Sequence, residues 1–200
     1  MPKDERVELP VLTSEVAFKG KIWDIKRESF EYNGGTLVRE FVAHPGAVAI
    51  LAVDAEQRVL LIRQYRHPVR SYLWEIPAGL TDVPGEPRID AAKRELMEET
   101  GYVAGKWTKL TDFMTTPGGN DEVITIFLAE ELEHVGHDLE LEGEEVDMIK
   151  QWFPLSEALA SVLASEIQSP SAVVGIMAAA LRYGLAANGN ANGNAGQARG

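Results

Sequence analysis

Three carboxylates near the middle of the chain are spaced so that they could act together. Glu95, Glu98 and Glu99 stand at i, i+3 and i+4 within residues 90–100, a segment expected to be helical. On a helix all three project from one face. Gly101 marks the helix end, which puts two of the acids in the last turn, where the negative end of the macrodipole disfavours them. Something cationic should offset them, and hard divalent metals prefer oxygen ligands of this kind. Ahead of the helix, residues 79–85 form a glycine-bounded loop, followed by Glu86 and, inside the helix, by the Arg94-Glu95 pair.

A helix of this kind needs a sheet to hold it. Residues 47–53, AVAILAV, are a continuous apolar run and read as a buried central strand. Residues 58–65 read as its antiparallel partner. Residues 72–78, YLWEIPA, read as a strand feeding the glycine loop, with Glu75 an acid in apolar company. Past the helix, residues 107–115 and 122–129 read as strands around the breaker cluster Thr116-Pro117-Gly118-Gly119-Asn120. The acidic segment 130–147 reads as a loop and residues 149–153 as a closing strand. Helices follow over 157–164, with Ser156 as N-cap, and from Ser169-Pro170 to about Leu185. At the front, residues 1–15 read as a polar lead-in. Residues 16–32 and 36–43, joined at Asn33-Gly34-Gly35, read as a hairpin arm with Trp23 and Phe30 exposed. A hairpin alone is marginal in water, so this arm must lean on its own domain or on a partner subunit. The Asn/Gly/Ala tail, 187–200, is expected to be disordered.

Composition narrows the classes. The 200 residues carry 19 basic and 31 acidic side chains, a net of -12, which repels nucleic-acid backbones and leaves nucleic acid an unexpected partner. There is no cysteine, hence no disulfide, thiolate site or thiol nucleophile. The charged N-terminus lacks an apolar signal core and no apolar run reaches spanning length, so a cytoplasmic protein without membrane association is expected.

Taken in order, Gly79, Glu86, Arg94, Glu95, Leu96, Glu98, Glu99, Gly101 and Tyr102 resemble the Nudix hydrolase box, G-x5-E-x7-R-E-U-x-E-E-x-G-U with U apolar. One departure is plain: six residues, not five, separate Gly79 from Glu86. The resemblance implies an α/β fold, a Nudix-type α/β/α sandwich with a mixed sheet, here preceded by a small N-terminal β-arm. That gives an arm at 1–43, a catalytic domain at 44–186 and the tail. It also implies Mg²⁺, replaceable by Mn²⁺, held by Glu95, Glu99, Glu98 and the Ala78 backbone carbonyl. Such an ion neutralises a pyrophosphate, positions water and stabilises the leaving phosphate.

Three further stretches resemble the ADP-ribose pyrophosphatase subfamily. Thr116, Pro117, Gly118 and Glu122 match its S/T-P-G-x-x-x-E element. RQYRHPV before WEIPAG puts Arg66 on phosphate or ribose, with Leu80 lining the substrate site. Val38-Arg39-Glu40 matches a V-R-E element in which Arg39 and Glu40 hold the adenosine end. The implied reaction is hydrolysis of ADP-ribose to AMP and ribose 5-phosphate, with other nucleoside diphosphate sugars such as GDP-mannose as the rival. The implied general base is Glu145, or Glu144 if the loop slips by one residue; Glu99 is the box carboxylate expected to matter most. A homodimer, with arms exchanged or retained, is the expected assembly. All box carboxylates are present, which weighs against a silent ligand-sensing module.

Overall fold

A computed structural model describes residues 1–136 and 148–185. Its centre is strand β4 (Ala47–Ala52), every residue of which is buried. Alternation along a strand sends neighbours to opposite faces. Ala47, Ala49 and Leu51 accordingly face one core, and Val48, Ile50 and Ala52 the other. Burying each large aliphatic side chain here contributes about 1.5–3 kcal/mol, which fixes this strand as the shared wall between two cores.

Helix α1 (Arg88–Thr100) covers one face and lays Ala91, Ala92 and Leu96 on it. Helices α2 (Leu155–Leu163) and α3 (Pro170–Arg182) cover the other. Gly175 lets α3 sit close: a Cβ there would come within 3.2 Å of Ile76 Cδ1. The remaining strands are β1 (Val11–Phe18), β2 (Asp24–Tyr32), β3 (Gly35–Ala43), β5 (Arg58–Arg66), β6 (Ser71–Glu75), β7 (Ala78–Leu80), β8 (Tyr102–Met114), β9 (Val123–His134) and β10 (Ile149–Pro154). They form a mixed sheet in the order β7-β4-β9-β8, a second sheet β10-β5-β6, and an arm β1-β2-β3. The α/β sandwich and the arm expected from the sequence are both present.

Several expectations are corrected. β5 is not the ladder partner of β4. Their only ladder pairing is the isolated Val53↔Val59 bridge just past β4; β4 pairs in parallel with β9 and antiparallel with β7, while β5 pairs with β10 and β6. The expected strand over 72–78 is two strands broken at Ile76-Pro77, because Pro77 has no N–H to give a ladder. The lead-in is not strandless: β1 pairs with β2 and makes the arm three-stranded. Trp23 and Phe30 are half-buried, not exposed. β9 runs on to His134, so the segment after residue 129 does not open as a loop. α1 begins two residues earlier than expected, and α2 begins behind Pro154 with no side-chain cap from Ser156.

The arm docks at one end. Val42 N–H donates to the Gly119 carbonyl (3.0 Å), and Asp121 N–H reaches back to Val42 O (3.4 Å). At its other edge all eight residues of β1 are exposed, including Val11, Leu12, Val16 and Phe18.

Candidate active site

Helix α1 runs along β7, and its carboxylates grip that strand. Glu99 is buried, and its Oε2 accepts the Ala78 N–H at 3.0 Å. One turn earlier, Glu95 lies against Gly79, where any Cβ would collide with its carboxylate. Gly79 is therefore needed for space. The helix ends at Gly101, in the left-handed region at φ 74°, with its N–H on Met97 O at 2.8 Å.

Arg94 gathers the acids. Its guanidinium contacts Glu95 at 2.6 Å, Glu98 at 3.1 Å and Glu86 at 3.1 Å. The loop before the helix closes with Glu86 N–H on Val83 O (3.2 Å) and Gly85 at φ 80°, so the extra residue still delivers Glu86 to Arg94. One guanidinium answers three carboxylates. Hydrogen bonds donated to Glu86, then to Glu95 and Glu98, outweigh partial burial and hold Arg94 more firmly protonated than usual. Burial pushes the Glu95 carboxyl up; the opposing pull of Arg94 is met by repulsion from Glu98 and Asp82.

These donors fit a hard divalent cation in type: carboxylates and a backbone oxygen. They also fit in charge, because Glu95 is half-buried among like charges with one shared counter-ion. Among the described residues no three His, Cys, Asp or Glu side chains form a closed cation cage, since the acids are drawn onto Arg94 instead.

Of the other candidates, Arg66 pairs with Glu75, Nη2 to Oε2 at 2.7 Å and Nε to Oε1 at 3.1 Å. Glu75 is buried and also accepts from Gln64 Nε2 at 3.2 Å. The acid in an apolar strand was visible in the sequence; that it orients Arg66 was not. Leu80 ends β7, half-buried and paired with Ala47. Thr116, Pro117 and Gly118 form a turn in which Thr116 O accepts Gly119 N–H (2.9 Å) and Asn120 N–H (3.0 Å). Glu122, at the end of this loop, accepts from Thr115 Oγ1 at 2.7 Å.

Arg39 and Glu40 are not brought to α1 within the described residues. Arg39 donates to the Val38 carbonyl (2.8 Å), and Glu40 pairs with Arg27 (2.6 Å) on the arm. Glu144 and Glu145 lie outside the described residues. Sequence reasoning missed Arg88, which donates to Thr125 Oγ1 at 2.8 Å, and His44, whose Nε2 lies 3.3 Å from Glu122 Oε1. The only signal for either was a polar residue at the edge of an element, Arg88 opening α1 and His44 following β3.

Residues 43–172 match the NUDIX domain model. The chain is 43% identical over 168 residues to an "ADP-ribose pyrophosphatase" of Mycobacterium tuberculosis (strain ATCC 25618 / H37Rv), covering 84% of this chain and 81% of that one. It is 39% identical over 182 residues to an "ADP-ribose pyrophosphatase" of Bacillus subtilis (strain 168), covering 90% and 97%. The fold is similar to a solved structure described as "ADP compounds hydrolase", with TM-score 0.73, 24% identity and coverage of 92% and 97%.

Proposed function

The chain belongs to the NUDIX domain family, and from that premise we propose that it hydrolyses the pyrophosphate of ADP-ribose to AMP and ribose 5-phosphate. The observation that carries this reading is the face of α1, where Glu86, Glu95 and Glu98 crowd one guanidinium. Nudix hydrolases need a divalent metal. We take it to be Mg²⁺, replaceable by Mn²⁺, with Glu95, Glu99, Glu98 and the Ala78 carbonyl as the groups that would hold it. When bound, such an ion supplies charge neutralisation at the phosphates and a site for water.

The chain's own residues supply the rest. Arg94 and Glu86 set the rotamers of Glu95 and Glu98, so the acids stay together before substrate arrives. The Gln64–Glu75 pair holds Arg66 by its Nε and Nη2 edge and so fixes the orientation of a guanidinium, the group suited to phosphate oxygens. Thr116, Pro117, Gly118 and Glu122 frame the substrate from the loop, with Leu80 lining the other side. Glu145, or Glu144, takes the proton from the attacking water. Arg39 and Glu40 hold the adenosine end once a second copy of the chain is present.

This last point goes with assembly. We assign the arm, residues 1–43, to homodimerisation, because the exposed apolar residues of β1 have no cover among the described residues of one chain. Residues 44–186 are the catalytic domain, and 187–200 a tail outside the described residues. No described helix is long and apolar enough to cross a membrane, and the acidic net charge argues against a nucleic-acid partner. The cytoplasm is the proposed location.

The test is a hydrolysis panel with Mg²⁺: ADP-ribose, GDP-mannose, NADH and a dinucleoside tetraphosphate. ADP-ribose is expected to lead in kcat/KM. Equal rates across the panel, or GDP-mannose in the lead, would overturn the assignment while leaving the family intact.

A further inference from the structure

His44 follows β3 directly and sits where the arm meets the loop 115–122. Its side chain is 9% exposed. Each part of the ring is engaged. Nδ1 accepts the Gly46 N–H at 3.0 Å, so the ring proton belongs on Nε2 in the neutral ring. Nε2 points at Glu122 Oε1, 3.3 Å away. The ring face stacks on Trp23, centroids 4.3 Å apart at 28°. The backbone is tied as well, His44 N–H to Asp121 Oδ1 at 2.7 Å.

The two ends of this chain of contacts are themselves fixed. Trp23 stands at the entry to β2, behind a turn so tight that a Cβ on Gly20 would collide with the Trp23 carbonyl. Gly20 N–H closes the turn on Asp24 Oδ1 at 3.2 Å. At the other end, Glu122 has both oxygens occupied, Oε2 by Thr115 (2.7 Å) and Oε1 by His44. Its N–H is held by Asn120 Oδ1 at 3.2 Å.

We propose that His44 is a positioning residue for substrate binding: it sets the Glu122 carboxylate from the arm, through the Trp23 stack and an Nε2–H donated to Glu122. A turn that needed only the Gly46 acceptor would be served by asparagine, whose Oδ1 falls near the Nδ1 position. Setting Glu122 needs the distal donor, which glutamine can supply and asparagine cannot. Because the loop is on the substrate and not on the acidic helix, the effect belongs in KM. The proposal rests on the reading that Glu122 faces substrate.

The experiment compares His44→Asn, His44→Gln and His44→Phe in the full-length protein, with steady-state kinetics on the best substrate of the panel above. Losing the charge-assisted donor in Asn and Phe is expected to raise KM about tenfold. For both, kcat should stay within about twofold; Gln should restore KM to within about threefold of wild type. The reverse order, Asn like wild type and Gln impaired, overturns the proposal and leaves His44 a turn acceptor; a loss in kcat alone also overturns it. A readout independent of turnover is the ring tautomer in long-range ¹H–¹⁵N spectra of the wild-type protein. A single Nε2–H tautomer is expected, and an Nδ1–H or averaged ring would sink the geometry even if the substrate assignment stood. If the panel refutes ADP-ribose but the Asn/Gln order holds on another sugar nucleotide, only the substrate reading has failed.

Discussion

Two half-buried acidic centres lie on opposite faces of the same sheet, and they are built to opposite rules. On the α1 face, Glu95 shares Arg94 with Glu86 and Glu98, and burial and like charge push its carboxyl up. On the α3 face, Glu130 holds its own partners: Tyr183 Oη donates to Oε1 at 2.7 Å, and Lys106 Nζ sits 2.8 Å from Oε2, off the ideal hydrogen-bond direction. Those two partners hold Glu130 below the usual carboxylate range, against partial burial, and Tyr183 is held protonated by its burial and by this bond. One centre is electrically short of a cation; the other is complete. A complete centre stabilises the fold, whereas a short one keeps its acids available to something that arrives later.

The largest test of that contrast is Glu95→Gln. Turnover is expected to fall about a thousandfold, the loss of several kcal/mol of charge stabilisation. A carboxyl with its folded pKa raised binds protons on folding, so its ionised form works against the fold at neutral pH. The metal-free Gln variant should therefore melt no lower than wild type near pH 7, with any advantage fading as pH falls into the carboxylate range. A clear drop in metal-free stability at pH 7 would break the comparison. Next in size, Arg94→Met removes the shared counter-ion and is expected to cost about 1–3 kcal/mol, discounted for partial exposure. Millimolar Mg²⁺ should raise the thermal midpoint of this variant more than that of wild type, because the ion replaces the missing charge.

The smallest effect is expected at the complete centre. Tyr183→Phe should cost about 0.5–1.5 kcal/mol at neutral pH with kcat unchanged and no rescue by Mg²⁺. Glu130 has a depressed pKa, so its contribution is present above its ordinary value of 4.5 and is lost as pH falls through the lower folded one. The stability gap between variant and wild type should thus close in acid below about pH 4.5. A gap that widens there would mean the Tyr183–Glu130 bond is not what the variant removes.

What could be read from the sequence follows from how local each cause is. The carboxylate face of α1 was legible because i, i+3 and i+4 spacing is set within one turn and a half of chain, and Gly101 ended it visibly. The buried character of β4 was legible from its apolar run, but its partner was not. A parallel ladder to β9 leaves no mark near either strand. β1 escaped notice because an edge strand with every side chain exposed has no alternation to read. Glu75 was visible as an oddity and Arg66 as a clamp, yet their pairing came only from the fold. His44 was the least legible, since the residue its backbone bonds to lies 77 positions away.

That parallel ladder also bears on how the molecule assembles in time. Ala47 pairs with Ile124, and the whole acidic helix lies in the chain between them. Contacts of such separation close late, because loop entropy must be overcome before they form. α1 lays Ala91, Ala92 and Leu96 on a surface that includes Phe127 and Ala129 of β9, so the face that grips β7 is finished only when the ladder is. A nascent chain released before residue 123 would carry every box carboxylate and still lack the wall that aligns them. The metal should accordingly select the finished fold and not template it, so chelation should stop turnover without unfolding the protein.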